Sequence, residues 1–206
     1  PGAYYKNEYA GTLSHIGGFS LNYHKHIHTG EGGILVTNCE NLAEKMRLIR
    51  NHAEAVVEAK GEENLINMLG HNFRLGEIEC AIGIEQLKKL KNIIKIKQNL
   101  ARKLDEGLSG LHGLITPVVK NDRDHVYYVY GLKIDINKIK ISKQLICNAL
   151  IAEGVPLYKG YANVHLLPVY QKKIAYGSKG FPWNYKNSRQ NINYKKGICP
   201  IAEELQ

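Results

Sequence analysis

Residues 19–33 read Phe-Ser-Leu-Asn-Tyr-His-Lys-His-Ile-His-Thr-Gly-Glu-Gly-Gly. One lysine, Lys25, lies between an apolar stretch that ends at Ser20 and a glycine-rich turn that is followed by further apolar residues. This pattern predicts two short strands, Phe19–Leu21 and Gly33–Thr37, on either side of a loop. A lysine at such a junction can act as a nucleophilic amine, because desolvation or neighbouring cations favour its neutral form.

Three histidines, His24, His26 and His28, alternate around this lysine. On an extended strand all three side chains would point to one face, which is an arrangement that can bind zinc. Only Glu31 and Cys39 stand nearby as further ligands or supporting groups. A non-catalytic zinc-binding module is therefore one alternative for the function, but we expect ordinary polar contacts at these histidines and no bound metal.

The composition limits the classes of partner. The chain has 206 residues, 44% of them apolar, and a net charge of +9. The lysines are spread along helix-like segments without interleaved aromatic residues, so we expect a solvated basic surface and no nucleic-acid partner. No apolar run approaches the roughly 20 residues that span a bilayer, so we expect no membrane partner.

The chain contains four cysteines: Cys39, Cys80, Cys147 and Cys199. These cysteines are widely spaced and form no Cys-x-x-Cys pair, so we expect reduced thiols in a cytoplasmic protein.

The sequence does not begin with methionine. We expect that it is a fragment of a longer protein at both ends.

Apolar periodicity predicts three helices. They cover residues 41–51, about 75–108 and 143–153, and the second is long enough that a kink or a break is an open alternative. Ser142 is placed to cap the third helix, and Gly154 to end it. Residues 53–70 are polar and weakly patterned, which predicts a mobile loop or a short helix.

Alternating apolar residues predict two further strands, Leu114–Val119 and His125–Ile136, and Val155–Tyr158 is a short extended segment. The resulting β–β–α–β order predicts a small α/β domain. Six aromatic residues within 161–185 favour an ordered loop there over a solvated linker.

Several blocks of the chain resemble one enzyme family in the same order. The pattern Ser-x4-Lys-x4-Gly-Glu-Gly-Gly at Ser20–Gly33 resembles the cofactor-lysine segment of the DegT/DnrJ/EryC1/StrS sugar aminotransferases, which use pyridoxal 5′-phosphate (PLP). Gly70–Leu75, followed by Glu77, Ala81 and Gln86-Leu87, resembles the family signature Gly-x-Asn-x-Arg-Met…Glu-x-x-Ala…Gln-Leu. Val164–Tyr170 resembles the family's small-domain Pro-Leu-His-x-x-Pro motif. Cys199–Glu203 resembles the approach to the family's last helix.

The resemblance implies an α/β fold, the PLP-dependent transferase fold type I, which is similar to aspartate aminotransferase. Residues 1–75 would form the C-terminal part of the large PLP-binding domain, 76–110 a long connecting helix, and 111–206 the small C-terminal α/β domain, truncated at its end. The first phosphate loop, the aromatic residue that stacks on the cofactor and the Asp that pairs with its ring nitrogen are expected upstream of Pro1.

The resemblance also implies roles for five residues. Lys25 would hold PLP as a Schiff base and, once released, carry the proton. Ser20 would bind the cofactor phosphate, and Asn72 the phosphate of the neighbouring subunit's cofactor. Arg74 and His165 would bind substrate, although an ion pair of Arg74 with Glu77 or Glu79 is an open alternative.

The activity so implied is transfer of an amino group from an amino acid, L-glutamate in this interpretation, to a nucleotide-linked keto-sugar in polysaccharide or glycoconjugate biosynthesis. The resemblance implies a homodimer with shared active sites. An alternative within the same fold is a PLP-dependent sugar dehydratase, a branch that carries histidine in place of the lysine.

Overall fold

The computed structural model describes residues 1–54, 68–186 and 192–205. The chain forms two compact units: the first contains Pro1–Gly110 and Thr116–Leu132, and the second contains Leu111–Ile115 and Lys133–Gln206. Most of the loop or short helix predicted for 53–70 lies outside the described residues. Within the described ranges, no helix is both long enough and apolar enough to cross a membrane.

Two small antiparallel sheets organise the first unit. In one, strand β1 (Tyr4–Tyr5) lies between β2 (Glu8–Tyr9) and β6 (Arg123–Asp124). In the other, β3 (Gly17–Ser20) pairs with β4 (Gly33–Val36), from Gly17 opposite Val36 to Ser20 opposite Gly33. The prediction of two strands flanking the lysine loop is therefore confirmed, with bounds that differ by one or two residues.

Two helices complete the first unit. Helix α1 spans Glu40–Arg50, close to its predicted bounds, and begins after Cys39. Helix α2 spans Glu77–Leu108 and is one continuous helix of 32 residues, which answers the question of a break. Apolar side chains remain exposed along α2, among them Ile78, Leu87 and Leu100, which are 76%, 59% and 52% exposed.

The second unit contains short elements around one helix. Strand β5 (Leu114–Ile115) pairs antiparallel with β7 (Lys133–Ile134). Helix α3 (Lys143–Ala152) is capped as predicted, because the Ser142 hydroxyl accepts a hydrogen bond of 3.3 Å from the amide of Leu145. A 3-10 helix and two short helices follow: Val164–Leu166, α4 (Pro168–Lys172) and α5 (Pro200–Leu205).

The strand predicted for His125–Ile136 is wrong. Residues 125–132 form no strand, and the flanking strands β6 and β7 belong to different units. Tyr127 has a φ of +48°, which interrupts an extended backbone. Long-range contacts of this segment with α2 and with the lysine loop hold the interruption in place. The predicted strand Leu114–Val119 is shortened to two residues, and the extended segment at 155–158 pairs with no other strand.

Candidate active site around Lys25

The lysine loop, residues 21–32, is closed by hydrogen bonds at its base. The amide of Leu21 donates to the carbonyl of Gly32 at 2.9 Å, and the amide of Thr29 donates to the carbonyl of Leu21 at 3.0 Å. The side chains of Leu21, Ile27 and Thr29 are almost entirely buried. The Thr29 hydroxyl also donates to the carbonyl of Glu31 at 2.6 Å, so the loop has a small core of its own.

Gly32 is required where the loop returns to β4. Its φ is +143°, which disfavours other residues, and a Cβ atom there would lie 2.9 Å from Cδ1 of Leu75 and 3.0 Å from Oγ1 of Thr29. The glycine-rich turn of the sequence therefore lets Leu75 approach the loop. This contact joins the Gly70–Leu75 segment to the segment that carries Lys25.

Asn22 organises the turn that precedes Lys25. Its carbonyl accepts the amide of Lys25 at 2.9 Å, and its side-chain oxygen accepts the amide of His24 at 3.2 Å. Its side-chain nitrogen donates to the carboxylate of Glu31 at 2.7 Å. Asn22 thus fixes the backbone from which the lysine side chain extends, a role that the sequence pattern did not indicate.

Lys25 is half-buried, and its amine lies over an aromatic ring. Its Nζ atom is 4.2 Å from the ring centroid of Tyr128. No carboxylate in the described part of the chain forms an ion pair with Lys25. The amine is therefore held by a neutral partner, which leaves it available for chemistry.

His26 binds the segment that contains Tyr128. Its Nε2 atom donates to the carbonyl of Val126 at 2.7 Å, and because a carbonyl only accepts, Nε2 carries the hydrogen. Burial lowers the pKa of His26, and the positive charge of Lys97 acts in the same direction, with a further contribution from His125. The hydrogen bond to Val126 opposes this shift without reversing it.

The three histidines do not form the face that a zinc site needs. Residues 21–32 form no strand, so the premise that places His24, His26 and His28 on one side is wrong. Nε2 of His26 is already bonded to Val126, and Nδ1 of His28 accepts the amide of Gly30 at 3.4 Å. Among the described residues there is no cluster of three or more metal-ligating side chains.

Ser20 is the last residue of β3. Its hydroxyl oxygen accepts the amide of Asn22 at 3.3 Å, and the residue is exposed. Its hydroxyl hydrogen has no acceptor among the described residues, so it can donate to an anion.

Asn72 and Arg74 lie on a segment that runs along the end of α1. The amide of Phe73 donates to the carbonyl of Arg50 at 2.9 Å, and Asn72 forms an antiparallel bridge with Asn51. The Arg74 guanidinium donates to the side-chain oxygen of Asn51, and neither of the alternative ion pairs, with Glu77 or Glu79, is formed. The side chain of Asn72 is exposed and makes no hydrogen bond within the described ranges.

His165 lies in the second unit, apart from the other candidates along the chain. Its Nε2 atom donates to Glu203 at 2.9 Å, and both side chains are only 10% exposed. Partial burial acts to raise the pKa of Glu203, but hydrogen bonds from the Gly197 amide, His165 and the Cys199 amide together lower it. His165 therefore links the 3-10 helix to the start of α5.

Sequence reasoning missed Tyr128 as the neighbour of Lys25 and Val126 as the partner of His26. His26 and Val126 are 100 positions apart, and no local pattern relates residues at that separation. Alternation within 126–134 pointed instead to a strand, which assigned Tyr128 a different environment.

Comparison with known proteins identifies the family. The model of the DegT/DnrJ/EryC1/StrS aminotransferase family matches residues 1–195. The UDP-4-amino-4,6-dideoxy-N-acetyl-beta-L-altrosamine transaminase of Helicobacter pylori is 32% identical over 179 residues, which cover 84% of this chain and 44% of that protein. The chain spans about half the length of the curated relatives it matches.

Solved structures have the same fold. DesV of S. venezuelae, solved in complex with a ketimine intermediate, matches with a TM-score of 0.76 and 25% identity over 99% of this chain and 47% of that one. The E. coli GDP-4-keto-6-deoxy-D-mannose-3-dehydratase, solved with bound hydrated PLP, matches with a TM-score of 0.65 and 25% identity over 74% and 42%. The predicted α/β fold, the PLP-dependent transferase fold type I, is thereby confirmed, and the chain belongs to the DegT/DnrJ/EryC1/StrS aminotransferase family.

Proposed function

We propose that the full-length protein is a PLP-dependent aminotransferase that moves an amino group from an amino acid, L-glutamate, to a nucleotide-linked keto-sugar for polysaccharide or glycoconjugate biosynthesis. The observation that carries this proposal is Lys25, which extends from a closed loop with its amine over a neutral ring and without an ion-pair partner in the described part of the chain. Family membership and the transaminase from H. pylori support the reaction class and a nucleotide-linked substrate.

The donor groups of this chain fit PLP, which carries an aldehyde and a phosphate. Lys25 supplies an amine for the aldehyde, and Ser20 supplies a hydroxyl hydrogen that has no acceptor among the described residues. Asn72 displays a side-chain amide that no described residue bonds, and this amide suits a phosphate in a neighbouring subunit. When bound, PLP supplies the electron sink that makes a proton on the adjacent substrate carbon removable.

The residues of this chain then have distinct tasks. Nζ of Lys25, once free, accepts the proton from the amino-bearing carbon of the donor and delivers a proton to the keto carbon of the acceptor. Arg74 and His165 are proposed to bind substrate, Arg74 through its planar guanidinium and His165 through its ring. We place the protein in the cytoplasm, where its four cysteines, all free in the structure, would remain reduced.

A sugar dehydratase is the second candidate, because the E. coli dehydratase has the same fold. The dehydratase branch carries histidine at the lysine position, and this chain has Lys25 there. The two activities differ in their products, since only the transaminase leaves the donor nitrogen on the sugar.

Borohydride reduction of the full-length protein tests the proposal. PLP should become fixed to the peptide that contains Lys25, and Lys25→Ala should abolish both this label and the visible absorption band and lower activity by about a hundredfold or more. Lys45→Ala, on the exposed surface of α1, is the matched control and should retain both. Label on another lysine would contradict the assignment. A sugar product that carries no ¹⁵N after reaction with ¹⁵N-glutamate would favour the dehydratase.

A further inference from the structure

The segment 126–128 holds the lysine loop at two adjacent points. Nζ of Lys25 lies 4.2 Å from the ring centroid of Tyr128, and Nε2 of His26 donates to the carbonyl of Val126 at 2.7 Å. The rings of His26 and Tyr128 also lie near one another, with centroids 6.2 Å apart. Two consecutive loop residues are therefore bound by residues that stand two apart in the other segment.

The segment is itself anchored to the first unit. Gln98 of α2 donates from its side chain to the carbonyl of His125 at 3.1 Å, and the Tyr130 hydroxyl donates to Asp105 of the same helix at 2.5 Å. Strand β6 ends just before the segment. Anchors on both sides make 126–128 a fixed support.

From this arrangement we infer that Tyr128 is a positioning residue for Lys25, with His26 fixing the loop against the same segment. This inference rests on the proposed role of Lys25. A lysine stem has four rotatable carbons, and without a partner its amine samples many positions. The face of an aromatic ring attracts the ammonium form weakly, so the amine is directed without being committed to a carboxylate.

A ring serves this purpose better than an acidic residue. A carboxylate would form an ion pair that must be broken before the amine reacts, and it would keep the amine protonated. The ring carries no net charge and acts through its quadrupole. Lys25 can therefore leave the ring with little cost when it bonds to a partner.

The test measures the reactivity of Lys25 in the cofactor-free, full-length protein, by limited acetylation with acetic anhydride and peptide mass spectrometry. In the Tyr128→Phe variant, Lys25 should be acetylated at the same rate as in the unmodified protein. In the Tyr128→Leu variant, Lys25 should be acetylated about two- to fivefold faster, because the ring no longer holds the amine. Exposed Lys45 is the internal reference, and its rate should be the same in all proteins.

A second series keeps the shape of the ring. Phenylalanine with one, two and three ring fluorines at position 128 weakens the quadrupole while changing the volume little. The acetylation rate of Lys25 should rise stepwise along this series, whereas a purely structural role would leave it constant. His26→Gln, which retains an N–H donor for Val126, should leave the rate unchanged, and His26→Ala should raise it.

Equal rates for Tyr128→Leu and the unmodified protein, or no trend with fluorination, would overturn the inference. These readouts do not require turnover, so they are separate from the test of the proposed function. If borohydride labels a different lysine while the fluorination trend holds, the reaction assignment fails and the positioning of Lys25 by Tyr128 stands.

Discussion

The hydroxyl of Tyr130 donates a 2.5 Å hydrogen bond to the carboxylate of Asp105 on α2. Burial raises the pKa of Tyr130, and the hydrogen bond and charge of Asp105 raise it further, so the hydroxyl remains a donor throughout the physiological range. This bond ties the irregular segment that contains Tyr128 to the longest helix of the chain.

Replacing this hydroxyl should weaken the first unit. Tyr130→Phe removes the donor and keeps the ring, so we expect the free energy of unfolding to fall by about 1 kcal/mol, measured by chemical denaturation. Tyr23→Phe is the matched control, because Tyr23 is 60% exposed and its hydroxyl makes no hydrogen bond in the described residues. Equal effects of the two substitutions would show that the Asp105 contact does not stabilise the fold.

The stability of the protein should depend on the protonation of His26. Because the pKa of His26 in the folded protein lies below its ordinary value of 6.5, the unfolded chain binds more protons between the two values. Stability should therefore fall as the pH drops below about 6.5 and be free of this contribution above it. Denaturation at pH 7.5 and 5.0 measures the change.

His26→Gln isolates this contribution from the other histidines. Glutamine keeps a donor for the Val126 carbonyl but does not titrate, so the variant should lose less stability than the unmodified protein between the two pH values. Identical pH dependence in both proteins would mean that His26 is not kept neutral by the fold.

Two glycines should respond to alanine with opposite signs. A Cβ on Gly70 would lie 2.2 Å from the backbone nitrogen of Ala53, whereas a Cβ on Gly107 in α2 would meet no atom of the described residues within 4 Å apart from its chain neighbours and the backbone of its own helix. Gly70→Ala should lower the free energy of unfolding by about 1–3 kcal/mol through overpacking. Gly107→Ala should raise it by about 0.5–1 kcal/mol, because alanine favours the helix. An unchanged free energy of unfolding in Gly70→Ala would show that the backbone at residues 52–53 can move away from residue 70 without cost.

Asn72 offers a test of shared active sites. If its amide binds the cofactor phosphate of a neighbouring subunit, Lys25→Ala and Asn72→Ala dimers mixed under conditions of subunit exchange should form hybrids with one intact site. Random exchange makes about half of the dimers hybrids, and each hybrid has one intact site out of two. About a quarter of the unmodified activity should therefore return. Native mass spectrometry checks the exchange, and confirmed hybrids without recovered activity would show that each subunit builds its own site.

Local signals account for the elements that sequence predicted well. Helices α1, α2 and α3 follow apolar spacings of three and four, and Ser142 forms the cap expected of it. Strands β3 and β4 follow from apolar runs that glycine interrupts. Each of these depends on neighbours within a few positions, which is the range over which propensity and capping act.

The strand expected at 125–136 failed because its alternating residues make three unrelated kinds of contact. The Tyr128 ring and the Val126 carbonyl meet the lysine loop, Tyr130 bonds to α2, and Ile134 pairs in another unit. Alternating side chains can therefore arise from unrelated contacts as well as from a strand, and only the contacts distinguish them.

The sequence alone singled out Lys25 as the lysine that we propose to be reactive, and it determined the glycine-rich return of its loop and the family to which the chain belongs, because these depend on residue types at short, fixed spacings. The tertiary structure decided what surrounds the amine. Tyr128 and the Val126 carbonyl lie about a hundred positions along the chain from Lys25 and His26. They reach these residues because α2 and β6 anchor the segment that contains them. Such contacts arise from the packing of distant elements, which leaves no periodic signal along the chain.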